Sequence, residues 1–170
     1  LFSVDTDDVQ EFEQEAEEVY KHFKVKPNFN SDIEIEEFDY VLTGSTWGLV
    51  ATNQQRRWDI RAKAIMGQVA YELDVEQFSG NETVIAVLRT NLHIHFAIGD
   101  VDITPSRESL SYNEYTKKAI VEACDFIIEE MKETLGESFD ECPTHWDARI
   151  KYKNFRREGG HLSDIVKTFS

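Results

Sequence analysis

Cysteine is scarce in this sequence: Cys124 and Cys142 are the only two in 170 residues. Their spacing matches neither a paired metal site nor a disulfide framework, so a reducing compartment is the simplest expectation. No apolar run approaches the roughly 20 residues that a bilayer-spanning helix requires, and no signal-peptide pattern stands out. A cytosolic setting is expected. The eight glycines are dispersed, with no G-x-G, no P-loop and no G-x-S-x-G elbow. Without them the chain lacks a phosphate cradle or a hydrolase nucleophile turn of its own. Positive charge is also short, with 18 Lys and Arg against 33 Asp and Glu for a net charge of −15. Binding to nucleic acid through the whole surface is disfavoured by that field.

What is present is enough to fold. The apolar share is 41% and the aromatic share 12%, far above the composition of disordered chains. A chain of this length can enclose one sizeable core. Opening at Leu1 rather than methionine, it is expected to be a piece of something longer. Charge is unevenly spread: the first third is rich in Asp and Glu, whereas Arg149, Lys151, Lys153, Arg156 and Arg157 form a basic tract. That tract reads as a solvated helix face, or as a patch for an acidic partner or a membrane surface.

The patterning predicts an α+β fold, a mixed β-sheet covered by a long helix, with helical extensions at both ends. Residues 1–32 are expected to be a helical connector, 33–136 the α/β domain and 137–170 a C-terminal helical extension. Val9, Phe12, Ala16, Val19 and Phe23 fall on one face of a helix predicted over 5–23, capped by Asp5 or Thr6. That stripe needs a partner. Period-two alternation follows at Ile33 and Ile35, with a bulge expected at Glu36-Glu37 and the pattern resuming at Phe38, Tyr40 and Leu42. "TGSTWG" reads as a turn before a strand over 49–52, and Val69, Tyr71 and Leu73 alternate. The run "TVIAVLR" reads as a central strand. "LHIHFAI" places Leu92, Ile94, Phe96 and Ile98 inward. Ser111 and Glu114 have capping-box spacing ahead of a helix whose stripe is Ile120, Ala123, Ile127, Met131 and Leu135, with Gly136 as its stop. A further helix is predicted over 144–157, ended by Gly159-Gly160, and a weaker one from Ser163.

Candidate sites are few. His93 and His95 share one face of a strand, where they either ligate a metal with a third group or stand as polar positions of a solvated face. No nearby Cys, Asp or Glu has a spacing that completes a metal set. Cys142 with His145 is a weaker pair, and a catalytic cysteine needs an orienting group that only the fold supplies. Trp47, Trp58 and Trp146 read as packing anchors. Gln54-Gln55-Arg56-Arg57 reads as a loop able to touch another domain. In "GDVDITPSRESLSY" an alternating strand breaks at Pro105, and Ser106, Arg107 and Glu108 occupy the connection to the helix. A guanidinium there can reach beyond its own domain and offer several fixed donors to a phosphate, with Glu108 placed to orient it.

That segment resembles the middle domain of the large ATP-driven heat-shock chaperones, where a strand ends in a Ser-Arg-Glu motif before a helix. Together with "AIMGQVAYELD" it is similar to the RIIA family of T-even-type bacteriophages, lysis-control proteins whose amino-terminal half is a GHKL-type ATPase. The resemblance spans roughly residues 33–135. It implies a middle, transducer-type domain in which Arg107, flanked by Ser106 and Glu108, contacts the terminal phosphate of ATP held by a preceding domain. The chaperones carry a glutamine one helical turn after the arginine, and Ser111 stands there in this chain. ATP and magnesium belong on this reading to the longer protein, and none is bound by this chain alone. The implied partners are the ATPase domain, joined through the 5–23 helix, and an RIIB-like or host protein. The implied setting is the host cytoplasm, peripheral to the inner membrane where the basic tract meets it. The alternative is a nonenzymatic interaction module of a phage protein.

Overall fold

Strand period, turn chemistry and one glycine gap explain most of the β layer. The computed structural model describes residues 9–23, 25–29, 35–51, 61–140 and 142–158. The expectations for Asp5, Thr6, Ile33, Thr52, 54–58, Gly159-Gly160 and the helix from Ser163 lie outside the described residues. Strands β1 (Tyr40–Thr43), β2 (Trp47–Val50), β3 (Lys63–Met66), β4 (Val69–Glu72) and β5 (Leu92–Phe96) form a five-stranded sheet in the order β1-β2-β5-β3-β4. Neighbours are antiparallel except for the parallel β3–β5 pair. The helices are α1 (Val9–Tyr20), α2 (Glu82–Leu88), α3 (Glu114–Asp140) and α4 (His145–Glu158), with a 3₁₀ turn at Val75–Phe78. The fold is mixed α+β.

The β3–β4 hairpin turns on Gly67, whose φ of 67° is open to a residue without a Cβ. Gln68 keeps a negative φ, the pattern of a type II′ turn that suits strand twist. The bulge expected at Glu36-Glu37 falls later, where the β1–β2 register slips between Tyr40 and Leu42. Residues 35–39 are not strand, although the Ala51 N–H donates to the Asp39 carbonyl at 2.8 Å.

One sheet face supplies Trp47, Leu49, Ala64, Tyr71, Leu92 and Ile94 to a core shared with Val84, Val87 and Leu88 of α2 and with Ile120, Cys124, Ile127 and Met131 of α3. Burying each large side chain there is worth about 1.5–3 kcal/mol. Trp47 anchors a second kind of contact. Its indole N–H donates to the Glu130 carboxylate of α3 at 2.8 Å, and the same carboxylate accepts from the Ser45 N–H at 3.0 Å.

Several expectations are corrected. "TVIAVLR" is not a strand but α2, begun by Asn81, whose side chain accepts from the Val84 N–H at 3.2 Å. A seven-residue helix with three buried apolar positions carries as unbroken an apolar run as a buried strand does. Ile98 is 87% exposed, because β5 ends at Phe96 and Gly99, at φ 99°, turns the chain away. The cap of α3 is Asn113 rather than Ser111, its carboxamide oxygen accepting from the Thr116 N–H at 2.9 Å. Gly136 does not stop α3, which runs on to Asp140. A single exposed glycine costs about 1 kcal/mol in a helix, which a long helix absorbs.

Candidate functional site

The segment "GDVDIT" forms no strand; its only pairing is an isolated antiparallel bridge between Ile103 and Leu110. Beyond that bridge the chain turns back on itself. The Thr104 N–H donates to the Ser109 carbonyl at 2.9 Å, and the Arg107 N–H donates to the Thr104 carbonyl at 2.9 Å, closing a turn with Pro105 at its second position. Proline presets the φ that this position requires. The Thr104 hydroxyl lies 3.1 Å from Ser106 Oγ and donates to the Ser109 carbonyl at 3.1 Å.

The base of this loop is stapled to the start of α3. The Ser111 N–H donates to the Asp102 carbonyl at 2.8 Å, Asn113 donates to the Asp102 carboxylate at 2.6 Å, and the Asp102 N–H donates to the Thr116 hydroxyl at 2.9 Å. A cap residue, a buried hydroxyl and an aspartate thus hold a six-residue excursion on a rigid helix.

At its tip Arg107 has a φ of 63°, the only non-glycine positive φ among the described residues. This left-handed conformation costs a side-chain-bearing residue roughly 1–2 kcal/mol. Ser106, Arg107 and Glu108 are all exposed. The Arg107 guanidinium makes no ion pair with Glu108 or with any other described residue. The structure therefore brings the three predicted residues together at one loop tip, while the orienting contact expected from Glu108 is not made.

The opposite sheet face holds a polar cluster that sequence reasoning missed. Gly48 pairs with His93, and the space a Gly48 side chain would fill is taken by the ring of Tyr40. Tyr40 thereby lies across the sheet, and its hydroxyl comes within 3.1 Å of His93 Nδ1. From above, α1 docks through its polar side: Lys63 Nζ donates to the Glu18 carboxylate at 2.8 Å, and just past the helix the His22 ring packs against that of His93 at a 51° tilt, with ring centroids 5.3 Å apart. Phe38 closes the edge, its centroid 4.5 Å from that of His93.

His93 is fully buried, which overturns its expected place on a solvated face; His95, two residues on, is exposed. Neither His93 Nε2 nor His22 Nε2 has a hydrogen-bond partner among the described residues. Burial, and then the neighbouring His22, Lys63 and His95, push His93 down to about 3. Burial followed by Lys63 pushes His22 down to about 4, against the opposing pull of Glu18. Burial works to raise the Glu18 carboxyl, but the Lys63 hydrogen bond and charge, with Lys21 and His22, leave it lowered. Both imidazoles are thus neutral at pH 7. Among the described residues no group of three or more His, Cys, Asp or Glu is placed to hold a metal.

The remaining candidates separate. Cys124 is buried against the sheet core, and burial pushes its thiol up to about 12, an inert state. Cys142 is half-buried and His145 exposed, one on either side of the Thr144 cap of α4. Trp47 is the packing anchor expected, whereas Trp146 is 69% exposed on α4, contrary to expectation. Arg149 and Lys153 of the basic tract are exposed, and Lys151, Arg156 and Arg157 are helical positions of α4. Among the described residues no helix is long and apolar enough to cross a membrane. Comparison with protein-family models, with curated proteins and with solved structures returns no match.

Proposed function

We propose that this chain is the transducer-type middle domain of a phage RIIA-like GHKL ATPase, with Arg107 as the group that reaches the terminal phosphate of ATP held by a preceding domain. The observation that carries this reading is the state of Arg107: exposed, unpaired among the described residues and held in a left-handed conformation at the tip of a stapled loop. Strain of that kind at an exposed charged residue is a pointer toward function. In a chain of net charge −15, a guanidinium kept away from carboxylates is available for an incoming anion. The reading also calls for a mixed α+β domain, which the five-stranded sheet and its helices provide.

On this reading ATP binding draws its phosphates to the Arg107 loop, where charge-assisted hydrogen bonds favour a closed arrangement of the two domains. The guanidinium also offsets charge as it develops on the transferring phosphoryl group. Ser106 shapes the turn, and Glu108 meets the guanidinium only once the ligand has reoriented it. ATP and magnesium are supplied by the preceding domain. The setting is the host cytoplasm, with an RIIB-like or host protein as partner.

The test is ATP hydrolysis and nucleotide affinity in the complete gene product, wild type against Arg107→Ala. A rate loss of roughly tenfold or more, about 1.4 kcal/mol of transition-state stabilisation, with nucleotide still bound, supports the proposal. Equal rates and affinities refute it. They would favour the second reading, a nonenzymatic interaction module, for which the exposed Trp146 and Ile150 of α4 speak.

A further inference from the structure

Two helix faces of this molecule are unpartnered among the described residues, and they are complementary. On α1 the apolar stripe does not meet the sheet: Val9 is 41% exposed, Phe12 65% and Val19 51%. The docked side is that of Glu18, and at about 100° per residue Val9 lies roughly opposite it on the helix. The stripe is flanked by Glu13 and Glu17 on one side and Glu15 on the other, and α1 has no Lys or Arg between Val9 and Tyr20.

On α4 the face formed by Trp146, Arg149, Ile150 and Lys153 follows the i, i+3, i+4, i+7 spacing of one helix side. Trp146 is 69% and Ile150 44% exposed, and both basic side chains are exposed beside them. Across its length α4 has five Lys and Arg against two Asp and Glu, in a chain whose total is strongly negative. An anionic bilayer would attract α4 while repelling the rest of the molecule. A second copy offers instead a surface of opposite sign and similar apolar content and length, since α1 and α4 are 12 and 14 residues long.

The geometry points to self-association in which the acidic, apolar stripe of α1 in one copy seats on the basic, tryptophan-bearing face of α4 in another. Trp146 is the anchor, as large aromatics are at interface centres. The glutamates of α1 and the Arg149 and Lys153 side chains set orientation at the rim. Used reciprocally, the contact closes a two-fold dimer; used once per copy, it propagates head to tail. This pairing uses neither the Arg107 loop nor a nucleotide, but it takes the α1 stripe of the helix through which the resemblance joins the preceding domain.

Sedimentation velocity of the chain at low and high salt tests it with two charge-reversed variants, Arg149→Glu with Lys153→Glu, and Glu13→Lys with Glu15→Lys. The changes lie at exposed or half-buried positions, and circular dichroism checks that each variant keeps its fold. Wild type is expected to sediment at twice the mass of one chain or more. That association should weaken as salt shortens screening from about 10 Å at 0.1 M to about 3 Å at 1 M. Each variant alone is expected to be monomeric, and their equimolar mixture to associate again, because α1 of the α4-reversed variant and α4 of the α1-reversed variant are unaltered and of opposite charge. Trp146→Ala should be monomeric at either salt. A wild type that stays monomeric at low salt, or a mixture no larger than its components, overturns the proposal. So does a monomer that cosediments with phosphatidylserine vesicles through Arg149 and Lys153, which would assign the face to a membrane instead.

Discussion

Acid should loosen the hold of α1 on the sheet, because the two imidazoles beneath it are neutral in the fold and basic once exposed. Unfolded, His22 and His93 each take a proton near pH 6.5; folded, they do so only near about 4 and about 3. The unfolded chain therefore binds more protons between those limits, and stability falls as pH drops below about 6.5. At roughly pH 4.5, two units under the unfolded value, each imidazole accounts for a loss of about 2–3 kcal/mol. Together they forfeit about 5 kcal/mol, comparable with the lower end of total domain stability. The charged groups facing them sharpen the effect. From β3 comes Lys63, from β5 the neighbouring His95, from the residues following α1 Lys26, and only Glu18 of α1 opposes them. The assay is urea unfolding at a series of pH values, wild type against the double variant His22→Phe, His93→Phe. Phenylalanine keeps an aromatic ring at each position and removes the titration. Carboxylates titrate in both proteins, so the difference between the two slopes reports the imidazoles. Equal slopes from pH 7 to about pH 4.5 would refute the reasoning.

Two further perturbations probe other features. Gly48→Ala places a methyl where the Tyr40 ring lies, displacing its hydroxyl from His93 Nδ1; stripping a buried nitrogen of its partner should lower stability by about 1–3 kcal/mol, read by thermal or urea unfolding. Arg107→Gly should raise stability by roughly 1 kcal/mol, since glycine adopts the left-handed φ without the Cβ penalty, yet lower ATP hydrolysis in the complete protein; a stability loss would show that the arginine side chain supports the loop.

The sequence exposed its long-period features best. The stripe of α3 and the Thr144 start of α4 were legible because helical period and cap chemistry are local, whereas of the β3–β4 hairpin only the alternation at Val69 and Tyr71 was read, and its turn at Gly67 was not. α2 was not, since seven residues are too few for period to separate helix from buried strand; the informative signal was Asn81 followed by Glu82, a cap and a first-turn acid. His93 was misjudged because alternation reveals which residues share a sheet face but not whether a second layer lies over that face. Only tertiary placement of α1 and Tyr40 buries it. The place of Ser106, Arg107 and Glu108 in a connection was legible from Pro105, and their role as a site came from the resemblance; the left-handed φ at Arg107 had no sequence signal, because arginine is not a residue expected there.

The strand order β1-β2-β5-β3-β4 has a consequence for how the molecule is made. β1–β2 and β3–β4 are local hairpins, and hairpins of that kind close in about 1–10 μs. Among the described residues they are joined in the sheet only through β5, which follows the other four strands in chain order and inserts between the two ribbons. Until Phe96 is synthesised, each ribbon presents an open inner edge able to pair with another chain. Growth of the nascent polypeptide through β5, rather than formation of either hairpin, is therefore the step at which productive folding and aggregation part.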